Sequence, residues 1–446
     1  MQLKKLRNFV LAGAIFLVGG TGNSFADEPG NQQMNRLEEA VQQLQKQNEA
    51  LQKEVHQLKE RQLDVGIKPA DSKSPLPFVI PWGKESKLVL GGFVQANGEY
   101  GSVSAFEGRL PAGSNEIFDR FRLRRARINV TGDFLENFDF KLEGDFEQAD
   151  GTSGNRTDFS GTDLFVNWHT FPEANIKVGQ WKAPFGLEQL TPDTILFTAE
   201  RSLVTGALTP ERQVGIQLWG KPLATVFPDL KDRLSYAVGV FNGNGRNITI
   251  NDDNNFMYAG RVEAVPFLGK VWNQDVKWRL GSNGLFSRDA ANTTLSPAGN
   301  LALQSDGSLI AYSTHSPDQR VAWGVDQTLT IGPFDLIAEF LAERINPTTS
   351  APNFSEFSTH GYYVQGSYFF WNKKLQLVGK WEDFHPGQGA SANLSSIMGG
   401  LNYYIKGDNI KLMLDYIHTW SDFRGQNPTL GAAEFDEALL RLQLMF

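Results

Sequence analysis

The chain of 446 residues carries 42 Lys and Arg against 50 Asp and Glu, a formal charge of −8 at pH 7, and has no cysteine. An acidic balance argues against a nucleic-acid partner, whose phosphate backbone needs a basic face. The missing cysteine excludes disulfides, thiolate metal sites, a cysteine nucleophile and a lipid anchor on cysteine.

In chain order, Lys4, Lys5 and Arg7 precede an apolar run from Phe9 to Gly20, and small residues, Ser24 and Ala26, bracket Phe25. This predicts a secretory signal over residues 1–26, cut after Ala26. The run is too short for a membrane anchor, which takes about 20 apolar residues. Loss of Lys4, Lys5 and Arg7 takes the charge of the exported chain from −8 to −11. No second long apolar run follows. An exported chain of this kind is either soluble or a β-barrel, whose spans alternate apolar and polar residues.

Residues 27–65 predict a periplasmic coiled coil. Met34, Val41, Asn48, Val55 and Gln62 share one heptad position, and Leu37, Leu44, Leu51 and Leu58 share the other. The seam spans about four heptads, and a two-in-seven stripe is narrower than that of a helix packed on its own domain. Val at a with Leu at d leans towards a parallel dimer, and Asn48 fixes the register. Residues 66–86 hold Pro69, Pro75, Pro77 and Pro81, which predict an extended linker.

From Lys87 to Phe446 the texture is short alternating segments. Phe138, Phe140, Leu142 and Phe146 interleave with Asp139, Lys141, Glu143 and Asp145, and Ile410, Leu412, Leu414 and Tyr416 interleave with Lys411, Met413 and Asp415. A soluble sandwich also alternates, so connection lengths decide. Short links such as Leu135–Asn137, Gly332–Pro333 and Gly407–Asp408 take turns with long ones such as Gly101–Ile117, Lys182–Glu211, Arg288–Asp318 and Ser421–Glu434. That predicts an all-β transmembrane barrel of sixteen antiparallel strands, with fourteen or eighteen as the neighbouring even counts. Trp168, Phe171, Trp219, Phe369 to Trp371 and Trp420 are expected in interfacial girdles.

Two stretches carry a family likeness. Arg120-Phe121-Arg122-Leu123-Arg124-Arg125-Ala126-Arg127-Ile128-Asn129-Val130-Thr131-Gly132, and Val178-Gly179-Gln180-Trp181-Lys182-Ala183-Pro184-Phe185-Gly186-Leu187-Glu188 leading to Ala199-Glu200-Arg201-Ser202-Leu203, resemble the phosphate-selective porin O/P family. The resemblance implies a 16-stranded outer-membrane porin, a homotrimer embedded in outer-membrane lipid. It also implies a third extracellular loop, at about 182–211, folded into the lumen to narrow it, and passive passage of small anions, phosphate among them, or other small solutes. The apolar content of 182–211, with Ile195, Leu196, Phe197, Leu203, Val204 and Leu208, independently favours burial against the wall.

If apolar residues face lipid, Arg125 and Arg127 point inward, as do Lys141, Lys177, Arg261, Lys277 and Arg279, while Lys182, Arg201 and Arg212 lie by the narrowed passage. Such a row offers an anion several weak stepping sites. The same inward faces carry Glu99, Asp139, Glu143, Asp145, Glu147, Glu263, Asp335, Glu339, Glu343 and Asp415, either a transverse field in a general diffusion pore or a set of salt bridges stiffening the wall. An enzyme is disfavoured: the six histidines form no spaced metal pair, and no Gly-x-Ser-x-Gly elbow is present. No cofactor is expected. The rival reading is a tether, in which the coiled coil binds peptidoglycan or another envelope protein and the barrel serves as anchor.

Overall fold

The computed structural model describes residues 78–82, 86–101, 119–148, 157–291, 301–303, 309–311, 316–387, 393–426 and 432–446. The expected signal segment, the coiled coil and most of the linker lie outside these residues.

The strands in chain order are β1 (Phe78–Trp82), β2 (Ser86–Gly101), β3 (Arg120–Phe134), β4 (Phe138–Gln148), β5 (Thr157–Phe171), β6 (Ala174–Lys182), β7 (Arg212–Gly220), β8 (Leu234–Phe241), β9 (Met257–Val271) and β10 (Gln274–Asp289). A small hairpin follows, β11 (Leu301–Leu303) with β12 (Leu309–Ala311). The wall resumes with β13 (Asp318–Ile331), β14 (Phe334–Pro347), β15 (Phe357–Phe370), β16 (Leu375–His385), β17 (Leu394–Tyr404), β18 (Ile410–Ser421) and β19 (Glu434–Met445). Each wall strand pairs antiparallel with its neighbours, and β19 returns to β2 from Glu437 opposite Gly101 to Met445 opposite Phe93. Strands β2–β10 and β13–β19 therefore close a sixteen-stranded barrel.

Connections at one end are mostly tight. Trp272 and Asn273, at φ 48° and 62°, make a two-residue link whose left-handed backbone matches the strand twist. At the other end the links are long, the third running from Ala183 to Glu211. On β15, Phe357, Thr359, Gly361, Tyr363, Gln365 and Ser367 are buried, while Ser358, His360, Tyr362, Val364 and Tyr368 are exposed. The exposed outer face is apolar elsewhere too, with Leu377, Leu401, Leu414 and Leu440. No helix among the described residues is long and apolar enough to cross a membrane.

Two local departures from the sequence reading have physical causes. Part of the expected linker, Phe78–Trp82, pairs with the start of β2 (Phe78 opposite Leu90) and includes Pro81, which a short marginal strand tolerates because few ladder bonds need its missing N–H. Between β2 and β3 the register shifts: Gln95 faces Arg125 and Ala96 faces Leu123, so Arg124 is an extra, bulged residue. Both Arg124 and Arg125 are consequently buried on the inner side.

Candidate functional site

The lumen is built by the inward residues of the wall and by the third long connection. That connection forms two short helices, α1 (Leu187–Leu190) and α2 (Leu203–Leu208). Its apolar groups Ala183, Phe185, Leu203, Val204 and Leu208 cluster with the wall residues Trp181, Phe241, Met257, Ala259, Leu285, Ala322, Leu341, Phe384 and Leu394. Removing this surface from water is the main drive for holding the segment against the wall.

Wall polar groups fix its backbone. Glu339 of β14 accepts from the N–H of Leu187 (2.5 Å) and of Glu188 (3.1 Å), and Glu382 of β16 accepts from that of Leu203 (2.8 Å). Carboxylates thus cap the unsatisfied first donors of both short helices. Asp415 of β18 accepts from the Ala199 N–H at 2.7 Å. Lys411 donates to the carbonyls of Thr194 (2.9 Å) and Leu196 (3.1 Å), Asn402 to Phe197 (2.7 Å) and Gln443 to Thr194 (2.9 Å). Arg441 donates to the Ala199 carbonyl.

Charges on the connection lock it from the other side. Asp193 meets Arg127 at 2.6 Å, Arg125 at 3.4 Å and Arg201. Glu200 pairs with Arg124 at 2.9 Å and with Arg441, and Glu188 with Lys380 at 2.6 Å. Burial opposes the charge on all three carboxylates. Arg125, Arg201 and Arg127 outweigh it at Asp193, Arg124 and Arg441 at Glu200, and Lys380 at Glu188, so each is held below its ordinary range, Asp193 well below.

The ten cations singled out from sequence fall into two groups. Arg125, Arg127, Arg212 and Arg261 are buried and paired: Arg127 also with Asp145 (2.6 Å), Arg212 with Asp163 (2.6 Å), Arg261 with Asp326 (2.8 Å for the second of two bonds). Lys141, Lys177, Lys182, Arg201, Lys277 and Arg279 keep partial or full exposure. Lys141 meets Asp163 at 2.9 Å and Glu143 at 3.0 Å; Lys182 donates to the Gln189 carbonyl at 2.7 Å; Arg201 donates to the Thr191 carbonyl at 2.7 Å; Arg279 lies 3.8 Å from Glu263. Lys177 lies over aromatic rings. All of this second group except Arg201 belong to β4, β6 and β10, whereas the hydrogen bonds to the connection's backbone given above come from β14, β16, β17, β18 and β19.

Of the acidic residues, Asp145, Glu143 and Glu263 are engaged by these cations, while Glu339 and Asp415 bind backbone. The Glu147 side chain lies outside the described ones. Sequence reading missed Arg124, hidden by the bulge, and also Lys380, Lys411 and Arg441. Those last three were legible, since each alternates with residues assigned to lipid. Trp219 and Phe369 were expected in the girdles but face inward: Trp219 Nε1 donates to Asn167 Oδ1 at 2.8 Å, and Phe369 sits 6.2 Å from Phe197 of the connection.

A closed sixteen-stranded barrel with an apolar outer face and a long connection strapped across a charged interior defines an outer-membrane porin. A family profile described as phosphate-selective porin O and P matches residues 99–446, and the chain belongs to that family. It is 22% identical over 409 residues to Porin O of Pseudomonas aeruginosa, spanning 81% of this chain and 89% of that protein. Among solved structures, the outer membrane channel DcaP of Acinetobacter baumannii matches with a TM-score of 0.51 at 14% identity, over 82% of this chain and 99% of that one. The anion-selective porin of Comamonas acidovorans matches with 0.51 at 12% identity, over 81% and 100%. A trimer form of OmpT of Vibrio cholerae matches with 0.50 at 11% identity, again over 81% and 100%. At these identities the structural likeness concerns the fold. The family makes the protein a passive channel of the outer membrane, not an enzyme.

Proposed function

We propose that this porin favours small anions, with the connection Ala183–Glu211 as its constriction and the exposed cations of β4, β6 and β10 lining the passage. The observation that carries this reading is the division of lumenal charge. Buried cations and carboxylates neutralise one another around Asp193 and Glu200, whereas Lys141, Lys177, Lys182, Lys277 and Arg279, each partly or fully exposed, gather on β4, β6 and β10. In a passage with little water a fixed charge attracts an ion strongly, and several weak sites allow it to leave again. The Comamonas porin of the same fold is anion-selective and the family is described as phosphate-selective, which points the same way. Single-channel recording in planar bilayers under a KCl gradient tests it: the reversal potential should lie on the chloride side, and one on the potassium side would overturn the preference. Relief or deepening of the chloride current by added inorganic phosphate then decides whether phosphate is a preferred solute.

The arrangement in the membrane is proposed to be a homotrimer with the tight turns and N-terminus in the periplasm. Residues 27–65 are proposed to form a coiled coil there, on the strength of the Leu37, Leu44, Leu51 and Leu58 repeat. Deletion of residues 32–62 should leave the conductance intact; loss of attachment to purified peptidoglycan in that variant would identify a tethering role, and loss of the trimer an assembly role.

A further inference from the structure

We propose that the inner wall around Lys177 is a binding site for small carboxylates bearing an aromatic ring. The proposal rests on the anion-permeable reading above and names a solute class for it. Lys177 Nζ lies 4.4 Å from the Phe165 ring centroid, 5.7 Å from that of Trp181 and 5.8 Å from that of Trp219. Three aromatic faces therefore surround one ammonium, and such faces attract a cation without neutralising it.

The neighbouring carboxylates are committed elsewhere. Asp163 receives Arg212 at 2.6 Å and Lys141 at 2.9 Å, and Asp139 receives Asn167 Nδ2 at 2.8 Å and lies 3.3 Å from His169 Nε2. Among the described residues no carboxylate comes within ion-pair distance of Lys177, in contrast to Lys141, Arg212 and Arg279 on the same side of the lumen.

The rings are held in place by their own N–H groups. Trp181 Nε1 donates to Gln217 Oε1 at 3.1 Å, and Trp219 Nε1 to Asn167 Oδ1 at 2.8 Å, with Asn175 donating to the Trp219 carbonyl at 3.2 Å. Trp181 is buried, whereas Phe165, Lys177 and Trp219 are partly exposed to the lumen. A fixed cation flanked by fixed apolar faces suits a solute with both properties: a carboxylate for the ammonium, and a flat ring to lie against Phe165 and Trp219. A small hydrated ion would shed water beside those rings with nothing to replace it. The site also lies on the transport path. Trp219 pairs with Asn175 two residues from the tight turn after β5, so a solute that has passed the Ala183–Glu211 connection meets it next.

The test uses the full-length protein in planar bilayers in KCl, with sodium benzoate or sodium acetate added to one side and the reduction of chloride current recorded. Benzoate should reduce the current at a concentration about tenfold lower than acetate, the size of effect that one ring contact supplies. Trp219→Leu and Phe165→Leu should bring that ratio towards one, and Lys177→Gln should weaken block by both anions. Equal potency of benzoate and acetate on the unaltered channel, or a ratio that survives both ring substitutions, would overturn the site while a chloride current persists. A potassium-side reversal potential would instead overturn the anion reading on which the site rests.

Discussion

Asp193 is the residue on which the interior turns, because one carboxylate faces Arg125, Arg127 and Arg201 together. Removing one partner from a buried pair typically costs about 3 to 5 kcal/mol, since the charges left behind cannot be hydrated. Asp193→Ala is therefore expected to loosen the connection and to remove one negative charge from beside Arg125, Arg127 and Arg201. Single-channel recording should show a larger or noisier step and a reversal potential moved further to the chloride side. Acid has a related effect with a definite sign. Asp193, Glu188 and Glu200 all titrate below their ordinary values in the folded channel. Such groups add stability above the unfolded value and lose it only as pH falls through the lower, folded value. The share of the anchorage that these three carboxylates supply should thus persist from about pH 8 to about pH 5 and be lost, with a change in step size, only below the ordinary carboxylate range near pH 4. An acid transition near pH 4 that is unchanged in Glu188→Gln and Glu200→Gln channels would contradict that assignment.

At the scale of elements, strand alternation was open to view in the sequence, whereas the pairing across its interruptions was not. The faces Ile410, Leu412, Leu414 against Lys411, Met413, Asp415 read off directly because apolar groups must meet lipid. The apolar content of residues 182–211 likewise announced that this segment would not stand in water. What stayed hidden was pairwise geometry. The bulge that sets Gln95 against Arg125 and Ala96 against Leu123 does mark β3, whose apolar face passes from Phe121 and Leu123 to Ala126 and Ile128 across the Arg124-Arg125 doublet, but the doublet alone does not say which arginine is the extra residue. Nor does a list of inward cations reveal which are consumed; Arg127 and Lys177 look alike until the partners on β4 and β5 are placed. The bulge yields a prediction. Deleting Arg124 restores strict alternation from Arg122 through Leu123 to Arg125, so the barrel should still assemble and shift on heating in gel electrophoresis. It should, however, lose its Glu200 partner and unfold at a lower temperature than the parent. Failure to assemble would mean that the bulge is required for closure itself.

For the molecule as a whole, the closed sheet leaves no open strand edge along the β19–β2 join, and its stability rests on that circle. The expected homotrimer should appear as a mass of three chains, plus detergent, in light scattering of the purified protein. A single-chain mass would remove the trimer from the description without touching the pore.

The join itself dictates an order of events. Phe446 exchanges both backbone hydrogen bonds with Gly92, each at 3.0 Å, and its ring covers the spot where a side chain on residue 92 would stand. The first barrel strand therefore cannot find its final neighbour until β19 has been synthesised and delivered. Every shorter stretch has two raw margins of N–H and C=O groups, the form most prone to pair with strangers. An exported chain of this design has to be kept apart from its fellows for the whole of its journey, and one cut short before β19 is not a weaker channel but an unsealed sheet.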